Sequence, residues 1–401
     1  MNQAFILHSA LVGVLLVAVA SQAQMAKGAN KFVGNITTRG AVRSDFLTYW
    51  NQITPENESK WGSVEGTRDV MNWGGVDNVK NFAETNKIPW KFHTLVWGSQ
   101  YPSWITSLSQ ADQLTEITEW FDAAKNRYPN VNMIDVVNEG YPSHAPPPFK
   151  NALGGDGTTG YDWIIKSFQM ARQRWPKAIL IYNDYNNIEW SSEVNWTSTM
   201  IDAIKNGGAP IDAIGCQAHD AYRIATATLK SNIDKLAATG LPLFITEFDI
   251  PDANDANQLT IMQNVFTLFW NHPKIVGITY WGYVVGSTWK TGTGLLNTNG
   301  TERPALTWLK NYVQSNPNPP NDFPSFLNPN VGTISHFVAT PQCPVTRKGP
   351  GLMEIFDLRG RMTGSFYVNK GTMPVPSMVP SSGIYVVKRD GRCAGIINKV
   401  R

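Results

Sequence analysis

Between residues 31 and 316 this chain alternates short apolar runs with longer amphipathic stretches, and that rhythm constrains its fold more than any other feature. The apolar runs fall at 32–36, 47–54, 90–97, 133–138, 179–183, 213–217, 243–247 and 275–281. Runs this continuously apolar suit strands covered on both faces, the condition of a parallel sheet. Parallel neighbours need long crossover connections, and the intervening stretches carry helical periodicity at 76–85, 114–127, 162–174, 192–205, 227–238, 258–270 and 305–313. Eight such units close into a (β/α)8 barrel, a fold that typically occupies about 250 residues.

The 401-residue chain leaves material on both sides of that barrel. Residues 10–20 are apolar, too short to span a bilayer comfortably, and are followed by Ser21, Gln22 and Ala23, so residues 1–23 read as a cleavable secretory signal. The first nine residues hold no Lys or Arg, which keeps an uncleaved lipid anchor open as the alternative. Domain bounds then follow as 24–315 for the catalytic barrel and 316–330 for a linker too rich in Pro and Asn for regular structure. Residues 331–401, with strand-like runs at 352–361 and 383–392, are expected to form a small all-β sandwich. Cys216 sits in an apolar run, whereas Cys343 and Cys393 lie together in the last segment, where a disulfide is open to them after export.

The net charge of +3 is uneven, with ten Lys/Arg against three Asp/Glu from Val331 onward. No phosphate-binding loop of the GxxxxGKS kind occurs, and no basic surface for nucleic acid follows from the pattern. A neutral partner is expected. Fifteen tryptophans exceed what a core needs, and surplus indoles suit a cleft that stacks the flat faces of sugars.

At the strand C-termini, where a barrel places its chemistry, polar residues recur. Glu56 and Asn57 follow the second run, His93 and Trp97 lie on the third, and Asn138 with Glu139 ends the fourth. Asn183 ends the fifth, Gln217 and then His219 the sixth, Glu247 the seventh and Trp281 the eighth. Two carboxylates facing one cleft can share work on a glycosidic bond; in a retaining glycosidase they stand about 5 to 5.5 Å apart, one as acid and then base, the other as nucleophile.

Five collinear stretches across residues 31–313 resemble the glycoside hydrolase family 10 endo-1,4-β-xylanases: Thr54-Pro55-Glu56-Asn57-Glu58-Ser59-Lys60-Trp61, His93-Thr94-Leu95-Val96-Trp97-Gly98-Ser99-Gln100, Asp135-Val136-Val137-Asn138-Glu139, Gly215-Cys216-Gln217-Ala218-His219 and Ile245-Thr246-Glu247-Phe248-Asp249. The resemblance implies Glu139 as general acid/base and Glu247 as nucleophile. It implies His219, on the same strand face as Gln217, as the residue orienting Glu247, and Asn138 as the partner of the sugar 2-hydroxyl. Glu56, Asn57, Lys60, His93 and Gln100 match positions that hold sugars on the non-reducing side of the cut. Trp97 and Trp281 match indoles cradling the reacting sugar, and Trp289 a mobile aromatic above it, whose bulk favours xylose over a hexose. Asn183 and Gln217 join the substrate-binding set. The implied substrate is xylan or xylo-oligosaccharides, with no cofactor or metal required and a monomer expected.

Three departures accompany the match. Gly98 stands where a histidine is common, which is expected to widen the floor near the reacting sugar. Residues 141–159, with Pro146-Pro147-Pro148, are unusual, and residues 284–287 before Trp289 lack familiar charges. Asp249, Asp252 and Asp255 lack the glycine and terminal glutamate of a calcium loop and read instead as a solvated helix start. The last segment resembles sorting domains of type IX secretion, which implies secretion machinery as a partner; a carbohydrate-binding module is its rival, and Phe356, Phe366, Tyr367 and Tyr385 fit either. For the barrel, a non-catalytic xylan-binding protein and a β-1,4-glucanase remain the rivals.

Overall fold

A computed structural model describes residues 24–324 and, as backbone alone, strands β9 (Gly351–Asp357), β10 (Met362–Val368), β11 (Gly383–Arg389) and β12 (Arg392–Lys399). The expected signal at 1–23 and Cys343 lie outside the described residues.

Eight parallel strands form one sheet: β1 (Phe32–Ile36), β2 (Ile53–Thr54), β3 (Lys91–Val96), β4 (Met133–Asn138), β5 (Ile179–Asp184), β6 (Ala213–Cys216), β7 (Leu243–Phe248) and β8 (Ile275–Tyr280). The sheet runs β2-β1-β8-β7-β6-β5-β4-β3, and a bridge between Ile53 and Trp90 closes it into a barrel. Every strand residue is buried, as the apolar runs require. Around the barrel lie α1 (Phe46–Tyr49), α2 (Trp61–Val64), α3 (Gly74–Asn86), α4 (Gln110–Arg127), α5 (Asp162–Arg174), α6 (Ser191–Asn206), α7 (Thr226–Ala237), α8 (Asp255–Asn271) and α9 (Pro304–Ser315). Their apolar stripes face inward; α5, for example, buries Trp163, Ile164, Phe168 and Ala171. Ser109 caps α4 by accepting from Asp112 N at 3.2 Å, and Lys125 and Arg127 sit in its last turn, where positive charge suits the helix dipole.

The run at 47–54 departs from expectation. Its first half is the one-turn helix α1 and only Ile53 and Thr54 pair in the sheet, because Phe46, Tyr49 and Trp50 are buried among neighbouring helices and loops rather than along a ladder. A second departure concerns 316–324, within the stretch expected to be an extended linker. The segment is irregular, as its prolines require, yet it docks beneath the barrel. Asn30 Nδ2 donates to Pro319 O at 2.8 Å, Asp322 N donates to Pro273 O at 2.9 Å, Lys274 pairs with Asp322 at 2.8 Å, and Phe323 is buried.

Inside the lower barrel, alternate strand positions supply Phe32, Met133, Ile179, Ile181, Ala213, Phe244 and Val276, and Phe323 completes that cluster from below. Gly277 is required there, since the Phe32 ring occupies the space its Cβ would take. At the other end the same inward positions turn polar. The four C-terminal strands form a separate antiparallel sheet in the order β10-β9-β11-β12; the second sheet that a sandwich needs is not among the described residues. No helix among the described residues is long and apolar enough to cross a membrane.

Candidate active site

The barrel mouth holds a cleft of about 550 Å³. Glu56, Asn57, Lys60, His93, Trp97, Gln100, Asn138, Glu139, Gln217, His219, Glu247, Trp281 and Trp289 all line it.

Glu139 follows β4 in a left-handed conformation, φ +56°, that an L residue adopts at a cost. Its Oε2 accepts from Trp97 Nε1 at 2.9 Å, and its Oε1 accepts from Gln217 Nε2 at 3.1 Å and Asn138 Nδ2 at 3.3 Å. Burial raises the Glu139 pKa above the ordinary glutamate value; the Gln217 and Trp97 donors oppose the rise without cancelling it.

Glu247 experiences the opposite balance. Burial would raise its pKa, but the His219 contact and the charges of His93, His219 and Lys91 outweigh it and hold the carboxyl at about 2. Oε1 accepts from Asn183 Nδ2 at 2.8 Å, and Oε2 lies 3.3 Å from His219 Nε2. His219 Nδ1 lies 3.2 Å from Asp249 Oδ2. Burial disfavours the imidazolium, yet these two carboxylates raise its pKa to about 10. The sequence reading placed His219 on a strand face shared with Gln217. In fact β6 ends at Cys216, and Ala218 at φ +64° makes a turn that brings His219 back to Glu247.

Asn183 requires a correction. It is fully buried and does not line the cleft. Its amide donates to Asn138 Oδ1 and to Glu247 Oε1, both at 2.8 Å, while its oxygen accepts from Thr246 at 2.6 Å. Those bonds join the two halves of the site by holding Asn138 and Glu247 in register. Gln217 spans the same gap, donating to Glu139 and, at 3.4 Å, to Asn138.

On the β2 and β3 side, Lys60 Nζ donates to Asn57 Oδ1 at 2.9 Å and Gln100 Oε1 at 2.7 Å, and sits 5.0 Å from the Trp97 ring centre. Burial lowers the Lys60 pKa, opposed by Glu247, Glu56 and Glu139. Burial also raises that of Glu56, with Glu58 adding to the rise. His93 is buried with Nδ1 2.9 Å from Asp135 Oδ2; desolvation lowers its pKa below the usual value, opposed by the Asp135 contact and the Glu247 charge. Trp281 packs edge-on to His93 at 5.4 Å. Trp289 is 50% exposed at the rim, and its indole N–H donates to Asp249 Oδ2 at 2.6 Å.

The sequence reading missed Tyr185, Asn186, Asp220 and Lys290, which also line the cleft. Tyr185 and Asn186 immediately follow β5, so the strand-end rule could have found them had it been carried three residues past Asn183. The expected wider floor at Gly98 is not there: Gly98 N donates to Ala145 O at 2.8 Å, and Pro146 O lies 2.5 Å from where a Cβ would be. Among the three aspartates weighed as calcium ligands, Asp249 faces His219 and Trp289, Asp255 pairs with Arg303, and Asn254 caps α8. Glu65, Asp69 and Glu116 are the described carboxylates close enough to share an ion, but Arg68 pairs with Glu116, while Glu65 accepts from Trp61 Nε1 and Asp69 N.

A (β/α)8 barrel whose mouth holds two glutamates in opposed environments, walled by indoles and amides, is a glycoside hydrolase. The family model described as Glycosyl hydrolase family 10 matches residues 17–312. The chain belongs to that family. It is 51% identical over 287 residues to endo-1,4-beta-xylanase B of Cellvibrio japonicus (strain Ueda107), a match covering 71% of this chain and 46% of that relative's length. Endo-1,4-beta-xylanase 3 of Hypocrea jecorina (strain QM6a) is 30% identical over 303 residues, covering 71% of this chain and 82% of the relative. The crystal structure of native xylanase 10B from Thermotoga maritima superposes with a TM-score of 0.65 at 27% identity, over 73% of this chain and 98% of that one.

Proposed function

We propose that the protein is a secreted bacterial endo-1,4-β-xylanase that hydrolyses internal xylosidic bonds of xylan with retention. The opposed pKa directions of Glu139 and Glu247 in one cleft carry this reading. Glu139, kept protonated, donates its proton to the glycosidic oxygen while the Glu247 carboxylate attacks the anomeric carbon and the C–O bond to the leaving sugar breaks. Glu139, now a carboxylate, takes a proton from water, whose oxygen attacks the same carbon and releases Glu247. His219 and Asn183 hold the nucleophile through both steps, and Asn138 is placed for the 2-hydroxyl.

Xylan as substrate is supported by the names of the relatives and by Trp289 at the rim, whose bulk disfavours a hydroxymethyl group. Export by an N-terminal signal and sorting or surface attachment through 331–401 complete the proposal, with a monomer as the acting species. Reducing-sugar release from xylan, cellulose and mixed-linkage glucan by the wild type, Glu139→Ala and Glu247→Ala tests the chemistry, with anomeric NMR on the first product. Xylan cleavage giving β-product, lost by roughly 10²- to 10⁴-fold when the acid/base is removed, is expected. A wild type that binds xylan without cutting it overturns the reading, and preference for cellulose would reassign the substrate. Cell fractionation of the full chain and of a chain cut after Ser325 checks the export claim.

A further inference from the structure

Two departures from the family pattern meet in space at the barrel mouth. The segment after Glu139 crosses from the end of β5 to the end of β3, and it is braced on both sides. On the β3 side it fills the place of a side chain at Gly98, through the 2.8 Å bond to Ala145 O and the close approach of Pro146. On the β5 side it delivers His144, whose side chain is only 5% exposed. The His144 ring stacks on Tyr185 with centres 3.5 Å apart and planes 15° from parallel, while Nδ1 lies 2.6 Å from Asp184 Oδ1. Asp184 is itself fixed, accepting from Tyr182 Oη at 2.6 Å and from Tyr141 N at 3.1 Å.

Tyr185 lines the cleft beyond Glu139, after β5, whereas Glu56, Asn57 and Lys60 follow β2. In a closed ring of eight, those strands stand three positions apart, across the mouth from one another. Sugars held over Glu56, Asn57 and Lys60 on one side of the scissile bond put the departing sugar over the Tyr185 side.

We propose that His144 is a positioning residue that holds Tyr185 as a flat platform for the leaving-group sugar. The proposal rests on the retaining xylanase reading and its polarity. An aromatic ring offers a sugar an apolar face only if it is already oriented; a free side chain must be ordered at the moment of binding. His144 stacks on one face of Tyr185 and is itself tethered to Asp184, so the platform is set beforehand.

The test uses the full chain and two substrates. Xylohexaose needs a sugar on the leaving-group side, whereas an aryl β-xylobioside with an activated phenol leaving group reports the nucleophile and the other half of the cleft. His144→Ala is expected to lose about tenfold more kcat/KM on xylohexaose than on the aryl substrate, the cost of ordering one ring on binding. Tyr185→Ala should show the same split, and His144→Phe, which keeps a ring against Tyr185, should recover part of it. Equal losses on both substrates would make His144 merely structural and overturn the proposal, as would a Tyr185→Ala variant that cuts xylohexaose like the wild type. A wild type inactive on both substrates would instead remove the xylanase reading beneath it.

Discussion

One glutamate in this cleft must hold a proton that the other must not, and each is governed by its own donors. Glu139 has only neutral donors, so burial wins and its pKa rises; Glu247 faces an imidazolium, so burial loses. Activity should therefore fall on the alkaline side as Glu139 loses its proton and on the acid side only as Glu247, at about 2, gains one. In Gln217→Ala a donor that stabilises the Glu139 carboxylate is gone. The alkaline limb of kcat/KM should then move to higher pH, even though the lost contact lowers the height of the profile. His219→Ala removes the largest contact and a charge that hold Glu247 down, so the acid limb should climb from near 2 toward the ordinary value of 4.5, with His93 and Lys91 still opposing the rise. A profile that keeps both limbs in place in these variants would show that other groups set them. Both glutamates were legible in the sequence because each ends an apolar run. Asn183 was legible as polar but not in its role, since a strand-end position does not say whether a side chain reaches the cleft or bonds the one beside it.

The elements that the sequence marked most clearly are those with a single burial demand. β4 and α5 begin and end where the apolar run and the helical period do. The run at 47–54 failed because apolarity alone does not separate a strand from a turn of buried helix. The β4–α5 connection was legible only as unusual, because its conformation comes from contacts distant in sequence: Gly98 on one side and Asp184 on the other. Those contacts give a direct prediction. Gly98→Ala puts a methyl against Ala145 and Pro146 backbone, which cannot rotate away as a side chain could. It should cost about 1–3 kcal/mol, as overpacking does, read as a lower urea midpoint. It should also reduce xylan cleavage, because Trp97, next in the chain, donates to Glu139. Wild-type stability and activity in Gly98→Ala would mean that this loop yields freely.

Across the whole molecule, chemistry is segregated along the barrel axis. The mouth is polar and charged, the lower interior is closed by Phe32, Phe244 and their neighbours, and the plug at the bottom comes from residues after α9. Eight strands and their order were readable from the rhythm of the chain; the plug was not. Pro and Asn content at 316–324 signals irregular backbone, and irregular backbone is the same in a free linker and in a docked strap. What distinguishes them is Phe323, one aromatic in a polar run, together with partners far back in sequence. Asn321 Nδ2 donates to Asn30 O at 2.5 Å, and Lys274 stands 5.1 Å from the Phe323 ring centre. Phe323 is 6% exposed, so truncating its ring should leave a cavity under the barrel and cost about 3 kcal/mol, as buried Phe→Ala changes do. The closest active-site groups lie at the opposite end of the strands, so Phe323→Ala should lower the urea midpoint while leaving kcat/KM on xylan near the wild-type value below that midpoint. A chain ending at Ser315 should lose the same stability, and one ending at Ser325 should keep it. Should the chain ending at Ser315 unfold at the wild-type midpoint, the segment after α9 would be a tether that merely rests against the barrel.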